Sequence, residues 1–348
     1  MKSRTLASWV AVVALAATGA CKPGPPGTPR PAERSGAELV VANIGSDEIL
    51  FFEIQSDGKL GTTPFRTIAG PATLLDDPYD VALDSAGRVY ALNQSRTGGT
   101  PRVTIYAAEA TGNVAPVGQV SGPNAAFRTP RGIAVGEPGP GGGRIIVANW
   151  DAPGQPSNIL QFPFSAGPGD IASSDVTVLA RLAAVPAYGV THKPAGGRIF
   201  VPTGTGNSIL IFSNVPAQNA DPSARITGGN TQLNLPTRVD LDGSGNLYVL
   251  NRGEKSVLVF DGPIPRPGVS DISPRVKVGG PGTTLLSEPE ALGVTPQGSL
   301  YVGDGNSIKV FANIADNFVL AQTVPNLNIP SGLVVNCGIR GCTPPAVR

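Results

Sequence analysis

The sequence predicts an all-β fold: a six-bladed β-propeller of four-stranded antiparallel blades, closed by N- and C-terminal strands that share one blade. Three observations predict it. A unit of four short apolar stretches recurs along residues 38–343, and repetition of one supersecondary unit implies stacked copies. The stretches are four to six residues long, β-branched or aromatic, and bounded by Gly, Pro, Asn or Asp, which is strand chemistry. Beyond the N-terminal segment, no window keeps a helical period. The 45 glycines and 35 prolines among 348 residues fit dense turns and an absence of helices.

The first stretch of each unit usually follows a proline: YDVAL after Pro78, RGIAV after Pro130, YGVTH from Tyr188, TRVDL after Pro236, EALGV after Pro289 and SGLVV after Pro330. A turn holding Gly87, Gly143, Gly197, Gly245 or Gly298 leads to the second: RVYAL, RIIVA, RIFVP, NLYVL or SLYVG. The second stretch ends at a polar residue, in turn Asn43, Asn93, Asn149, Thr203, Asn251 and Asp304. Such residues cap tight loops through their own backbone; a ring of metal ligands is the other reading. The third stretch ends on an aromatic ladder, Phe52, Tyr106, Phe162, Phe212, Phe260 and Phe311, expected to pack between blades. A fourth, weaker stretch closes the unit, as in ARITG at Ala224 and PRVKV at Pro274.

The ends predict how the ring closes. LVVAN (Leu39 to Asn43) and ILFF (Ile49 to Phe52) are second and third strands without a first, while SGLVV (Ser331 to Val335) is a first strand without a successor. Joined, they complete one blade, leaving no unpaired break in the ring.

GPNAAFRTPRGIAV (Gly122 to Val135) and GNLYVLNRGEKSVLVF, which ends at Phe260, resemble the NHL-repeat family. The likeness runs from about Glu38 to Asn336 at varying quality. Arg238 and Ala291 depart from it by replacing the usual glycine, and Pro202-Thr203 by replacing the acidic or amide pair. The resemblance implies a propeller, a scaffold that hosts unrelated activities.

Residues 1–20 read as an export signal: Lys2 and Arg4, an apolar run from Leu6 to Ala17, then small residues before Cys21. Thr18-Gly19-Ala20-Cys21 resembles a bacterial lipoprotein box, with Thr18 where leucine is typical. It implies lipidation at Cys21; plain secretion with a free Cys21 is the alternative. Lys22 after the cysteine resembles the Gram-negative outer-membrane sorting signal. Residues 21–37 form a Pro/Gly-rich tether, and 38–343 the propeller. In an exported chain Cys337 and Cys342, spaced C-G-I-R-G-C, are expected to pair. Zinc would need two further soft ligands, and the sole histidine, His192, lies in another repeat.

The formal net charge of +1 carries no nucleic-acid footprint. Loops before first strands and after second strands converge on one channel mouth. There the sequence places Asp80, Arg131, Tyr188, Arg238, Glu290 and Trp150 as candidate ligand- or partner-binding residues. Asp80 and Arg238 stand where other repeats keep Gly or Ala, marking a pocket or an ion pair that closes the ring. Asp240, two residues after Arg238, shares its side of the strand and reads as an ion-pair partner between blades. Trp150 reads as an exposed-loop tryptophan, either a stacking platform or loop packing. Glu290, Asn149, Asn251 and Asp80 are the residue types that hold a divalent ion in gluconolactonase-type propellers, but that family's surrounding motifs are absent. One histidine excludes catalysis by a histidine pair, and Ser and Cys nucleophiles lack a candidate base.

The resulting expectation is an exported, lipid-anchored, monomeric binding or scaffolding module at the bacterial cell envelope. It has no cofactor and no metal, and meets the membrane through its N-terminal lipid only. Its partner is an envelope protein or a small polar ligand. A metal-dependent hydrolase or lactonase using channel carboxylates, and a purely structural envelope protein, are the alternatives.

Overall fold

The computed structural model describes residues 36–337, except 97, 140–141, 151–156, 165–175, 183–184, 194–196, 213–218, 265–267 and 315–316. The expectations placed on the leader, on Cys21 and on Cys342 therefore lie outside the described residues.

Blade one contains β1 (Glu38–Asn43), β2 (Glu48–Glu53) and β3 (Arg66–Ala69). Blade two is β4 (Pro78–Leu83), β5 (Val89–Asn93), β6 (Arg102–Tyr106) and β7 (Gly118–Val120). Blade three is β8 (Thr129–Gly139), β9 (Gly142–Trp150), β10 (Ser157–Phe164) and β11 (Thr177–Leu182). Blade four is β12 (Thr191–Lys193), β13 (Arg198–Pro202), β14 (Ile209–Phe212) and β15 (Ala224–Ile226). Blade five begins with β16 (Pro236–Leu241), β17 (Leu247–Asn251) and β18 (Ser256–Phe260). The chain then makes β19 (Gly268–Ser270) before closing blade five with β20 (Val276–Gly279). Blade six is β21 (Pro289–Val294), β22 (Leu300–Asp304), β23 (Ser307–Ile314) and β24 (Asn317–Val324). Finally β25 (Pro330–Asn336) returns to blade one as its innermost strand, pairing antiparallel with β1 from Glu38 opposite Asn336 to Asn43 opposite Pro330.

This is the six-bladed ring with a shared closing blade that the repeat predicts. One strand was not foreseen. β19 leaves its own blade and runs parallel to β15, adding a fifth strand to blade four. Its three residues, Gly268, Val269 and Ser270, show no alternation long enough to mark a strand.

The core is six layers, one between each pair of blades. Side chains alternate along a strand, so a strand with blades on both sides must be apolar throughout. In β17, Leu247 and Val249 join the layer against blade four, and Tyr248 and Leu250 the layer against blade six. β5 divides likewise: Val89 and Ala91 face blade one, Tyr90 and Leu92 face blade three. The aromatic ladder supplies one ring to each layer: Phe52, Tyr106, Phe162, Phe212, Phe260 and Phe311 each belong to a different cluster and are buried.

The polar residue closing each second strand also has a structural use. Asn149 accepts from Arg128 N at 2.9 Å and donates to Ala126 O at 3.1 Å. Asn251 accepts from Asn234 N at 2.6 Å and donates to Gln232 O at 3.0 Å. Asn43, Asn93 and Asp304 accept from Asn328 N, Asp76 N and Ser287 N. Each pins the loop that enters the innermost strand of its blade. Thr203 is too short for that reach and bonds Ser208 instead. Those entry loops share a feature the sequence reading missed, a 3-10 turn at Pro71–Thr73, Pro123–Ala125 and Gly229–Thr231. Its signal was available: a glycine opens each turn, and the Thr73 and Thr231 hydroxyls donate back to Gly70 O and Gly228 O.

Candidate functional site

Five of the six innermost strands are irregular at one place. The pairing register skips the residue after the proline: Tyr79, Arg131, Thr237, Glu290 and Ser331. Such a bulge re-aims the side chain it carries. Tyr188, just before β12, takes the corresponding place in blade four and ties to Pro202 O through its own N–H. Thr237 and Ser331 are buried, the Ser331 hydroxyl donating to Pro78 O at 3.2 Å, whereas Tyr79, Arg131, Tyr188 and Glu290 remain partly exposed.

One residue further along, the ring narrows to its tightest point, at Asp80, Gly132, Gly189, Arg238, Ala291 and Gly332. A Cβ on Gly132 would lie 2.6 Å from the Cα of Gly189, and one on Gly332 would lie 2.6 Å from the Cα of Asp80. Backbone meets backbone here, which explains the small residues. Arg238 fills the constriction. Its Nη1 donates to Tyr188 O at 2.7 Å and Arg131 O at 3.0 Å, and its Nη2 to Ser331 O at 3.0 Å. One guanidinium thereby ties blade five to blades one and three and to the loop entering blade four. Asp80 crosses to the next blade, accepting from Val81 N and, at 3.0 Å, from Ile133 N. Burial pushes its carboxyl above the usual carboxylate range, against the opposing pull of the Arg238 charge and the two backbone donors.

Asp240 repeats the Asp80 arrangement on the other side of the ring, in blade five. It accepts from Leu241 N at 2.8 Å and from Val294 N, in the next blade, at 2.9 Å. Its place on the strand was foreseen; its two backbone donors were not. Thr191 completes a third tie, donating to Val239 O at 2.6 Å.

Above the constriction, Arg131, Tyr188 and Trp150 come together with Tyr79, which opens the first stretch after Pro78 and was not among the candidate residues. The Arg131 guanidinium lies 4.7 Å from the Trp150 ring, 5.1 Å from that of Tyr188 and 5.7 Å from that of Tyr79. Trp150 stacks on Tyr188 with centroids 5.8 Å apart and planes 26° apart. Arg131 Nη1 also donates to the Tyr79 hydroxyl at 3.3 Å. Trp150 is not an exposed-loop residue: it ends β9, opposite Thr129, and is half-buried. Glu290 stands apart from this group, in an ion pair with Arg252.

Below the constriction the channel opens again into a cavity of about 220 Å³. Asp80 and Arg238 line its inner end. Aliphatic side chains of the innermost strands line its walls, together with Thr191, His192, Asp240 and Cys337. The six candidate residues are therefore divided: Asp80 and Arg238 plug the channel, Arg131, Trp150 and Tyr188 form a box above it, and Glu290 pairs with a loop arginine.

The four residues of gluconolactonase-like type do not converge as free ligands. Asn149 and Asn251 hold entry loops, Asp80 holds the next blade, and Glu290 holds Arg252. Among the described residues, no group of three or more His, Cys, Asp or Glu side chains is placed to share a metal ion.

No family model matches the sequence, and no curated protein does so either. Solved structures do. A chain of a crystallised nidogen/laminin complex superposes with TM-score 0.60 at 15% identity, covering 86% of this chain and 98% of that one. The periplasmic gluconolactonase of Pseudomonas aeruginosa gives 0.59 at 14% identity, covering 86% and 99%. A putative 6-phosphogluconolactonase of Bacteroides fragilis gives 0.58 at 13% identity, covering 88% and 99%. At these identities the likeness is one of fold.

Proposed function

We propose that this protein is an exported, lipid-anchored, NHL-like propeller. It acts as a non-catalytic binding module at the cell envelope, and its contact face is the upper channel mouth. The observation that carries the reading is the aromatic box around Arg131. A cation held against Trp150, Tyr188 and Tyr79 is pre-oriented, and among the described residues its one hydrogen bond goes to the Tyr79 hydroxyl. Guanidinium donors that remain suit a carboxylate, and the flanking rings suit a planar or sugar-like face. The ligand class is a small polar or zwitterionic molecule, or a protein loop that presents the same groups. A non-catalytic role is supported by the engagement of Asp80, Asn149, Asn251 and Glu290 in structural bonds.

The test is affinity capture from envelope extracts on immobilised protein, with Arg131→Ala and Trp150→Ala beside the unaltered chain. Both changes are expected to abolish binding while leaving the unfolding midpoint nearly unchanged. Binding that survives both, but fails when His192 is altered on the opposite face, overturns the assignment. The envelope placement has separate checks. Mass spectrometry of the mature N-terminus should find acylated Cys21, and Cys21→Ser should leave the membrane fraction. Non-reducing peptide mapping should find Cys337 linked to Cys342; two alkylatable thiols would contradict it.

A further inference from the structure

Six blades present six outer edges, and one is unlike the rest. The outer strands β3, β11 and β20 are four to six residues long and carry Arg66, Arg181 and Lys277. β7 is three residues long. β15 carries Arg225, and its edge is covered by β19. Short length, an edge charge and a covering strand are the usual devices that stop sheets from pairing edge to edge. β24, Asn-Phe-Val-Leu-Ala-Gln-Thr-Val, has eight residues and no charge. Val319, Leu320 and Ala321 are consecutive and exposed, Val319 at 44% and Leu320 at 38%. In the other outer strands, the exposed side chains are Arg181, Arg225 and Lys277. Three exposed apolar residues in succession on an edge strand are a fault unless something covers them.

We propose that β24 is an assembly edge, pairing antiparallel with β24 of a second copy about a two-fold axis. Blade four shows that an outer edge of this ring accepts a fifth strand, since β19 adds to β15 through three paired residues. An antiparallel self-pair matches donors to acceptors by symmetry. It also demands that no residue repel its own copy, and like charges across a sheet are destabilising. Among the six outer strands, β24 alone combines length with absence of charge. The extra residue Ala321, which the pairing with β23 skips, bends the strand and confines the regular edge to Asn317–Leu320. The contact is therefore small and the association weak, in contrast to the monomer expected from the sequence.

The test is sedimentation over about a thousandfold range of concentration, wide enough to follow a weak equilibrium. The Cys21→Ser chain is used so that an acyl group cannot drive association. Average mass should rise towards twice the monomer, and amide exchange within Asn317–Leu320 should slow as it does. Val319→Lys and Leu320→Lys, both at exposed positions, should weaken association by about tenfold or more, because they set like charges on either side of the axis. A mixture of Leu320→Lys with Leu320→Glu should restore it. A monomer at every concentration overturns the proposal, and so does association that the lysines leave unchanged or exchange that does not slow.

Discussion

Arg238→Met tests the central claim about the channel. Methionine keeps most of the stem's volume and removes the guanidinium. Three charged hydrogen bonds go with it, to the carbonyls of Tyr188, Arg131 and Ser331, each worth about 1.5–3 kcal/mol in isolation. They share one rigid group, so they do not add in full, and the expected loss is about 3–5 kcal/mol, above one such bond and below the sum of three. That is a large share of the roughly 5–15 kcal/mol that keeps a domain folded. The loss should depend on pH. Burial already raises the Asp80 carboxyl above its ordinary 3.8, and Arg238 pulls the other way. A carboxyl raised on folding contributes stability below its unfolded pKa and loses it as pH rises through the folded one. Without Arg238 the folded value climbs further, so the penalty is greatest at neutral pH and shrinks on acidification. Asp80→Asn in the Arg238→Met background should recover part of the loss, a coupling of about 0.5–3 kcal/mol. Urea unfolding of the four-member cycle at neutral and acidic pH measures all of this. A loss under about 1 kcal/mol, which would be ordinary for a point substitution, or one unchanged on acidification, would refute the reasoning.

Asn251→Ala removes the acceptor for Asn234 N and the donor to Gln232 O at a fully buried position; urea unfolding should show a loss of about 1–3 kcal/mol. Deleting 329–348 removes β25 and strips β1 of its inner partner along its whole length; light scattering should detect aggregation through the bared edge, and a soluble, cooperatively unfolding monomer would contradict the closure. Burial pushes the Tyr106 phenol from the ordinary 10.0 up to about 12, with its hydroxyl donating to Thr73 O. The neutral phenol is thus favoured by the fold, and the stability it contributes should be lost as pH rises from 10.0 towards 12. Absorbance titration should find Tyr106 among the last tyrosines to ionise.

The sequence by itself determined what depends on local chemistry and period. Branched and aromatic runs between glycines and prolines define the strands, and their continuous apolarity reflects burial on both faces. That is why the ladder from Phe52 to Phe311 was legible, one ring to each layer between blades. The mismatch of the two ends, a first strand left over at Ser331 and one missing before Leu39, determined the closure. Asn149 and Asn251 were legible as structural residues, but the backbone they hold is the entry loop earlier in the chain rather than their own following turn.

The tertiary structure decided everything that joins blades across the channel. Arg238 meets Ser331 across 93 positions, a meeting that exists only once the ring is closed and six backbones crowd at Gly132 and Gly332. Sequence could mark Arg238 and Asp80 as departures from glycine, yet a departure does not reveal whether its charge is offered to a ligand or consumed by carbonyls and amides. The same holds for Trp150, Tyr188 and Arg131, which lie in different elements and become one box only where blades three and four meet and a bulge re-aims Arg131. A bulge leaves only a proline as its trace, and period-two patterns cannot register one extra residue. β19 escaped for a related reason: three residues gain a strand's geometry from the blade they join, not from their own composition.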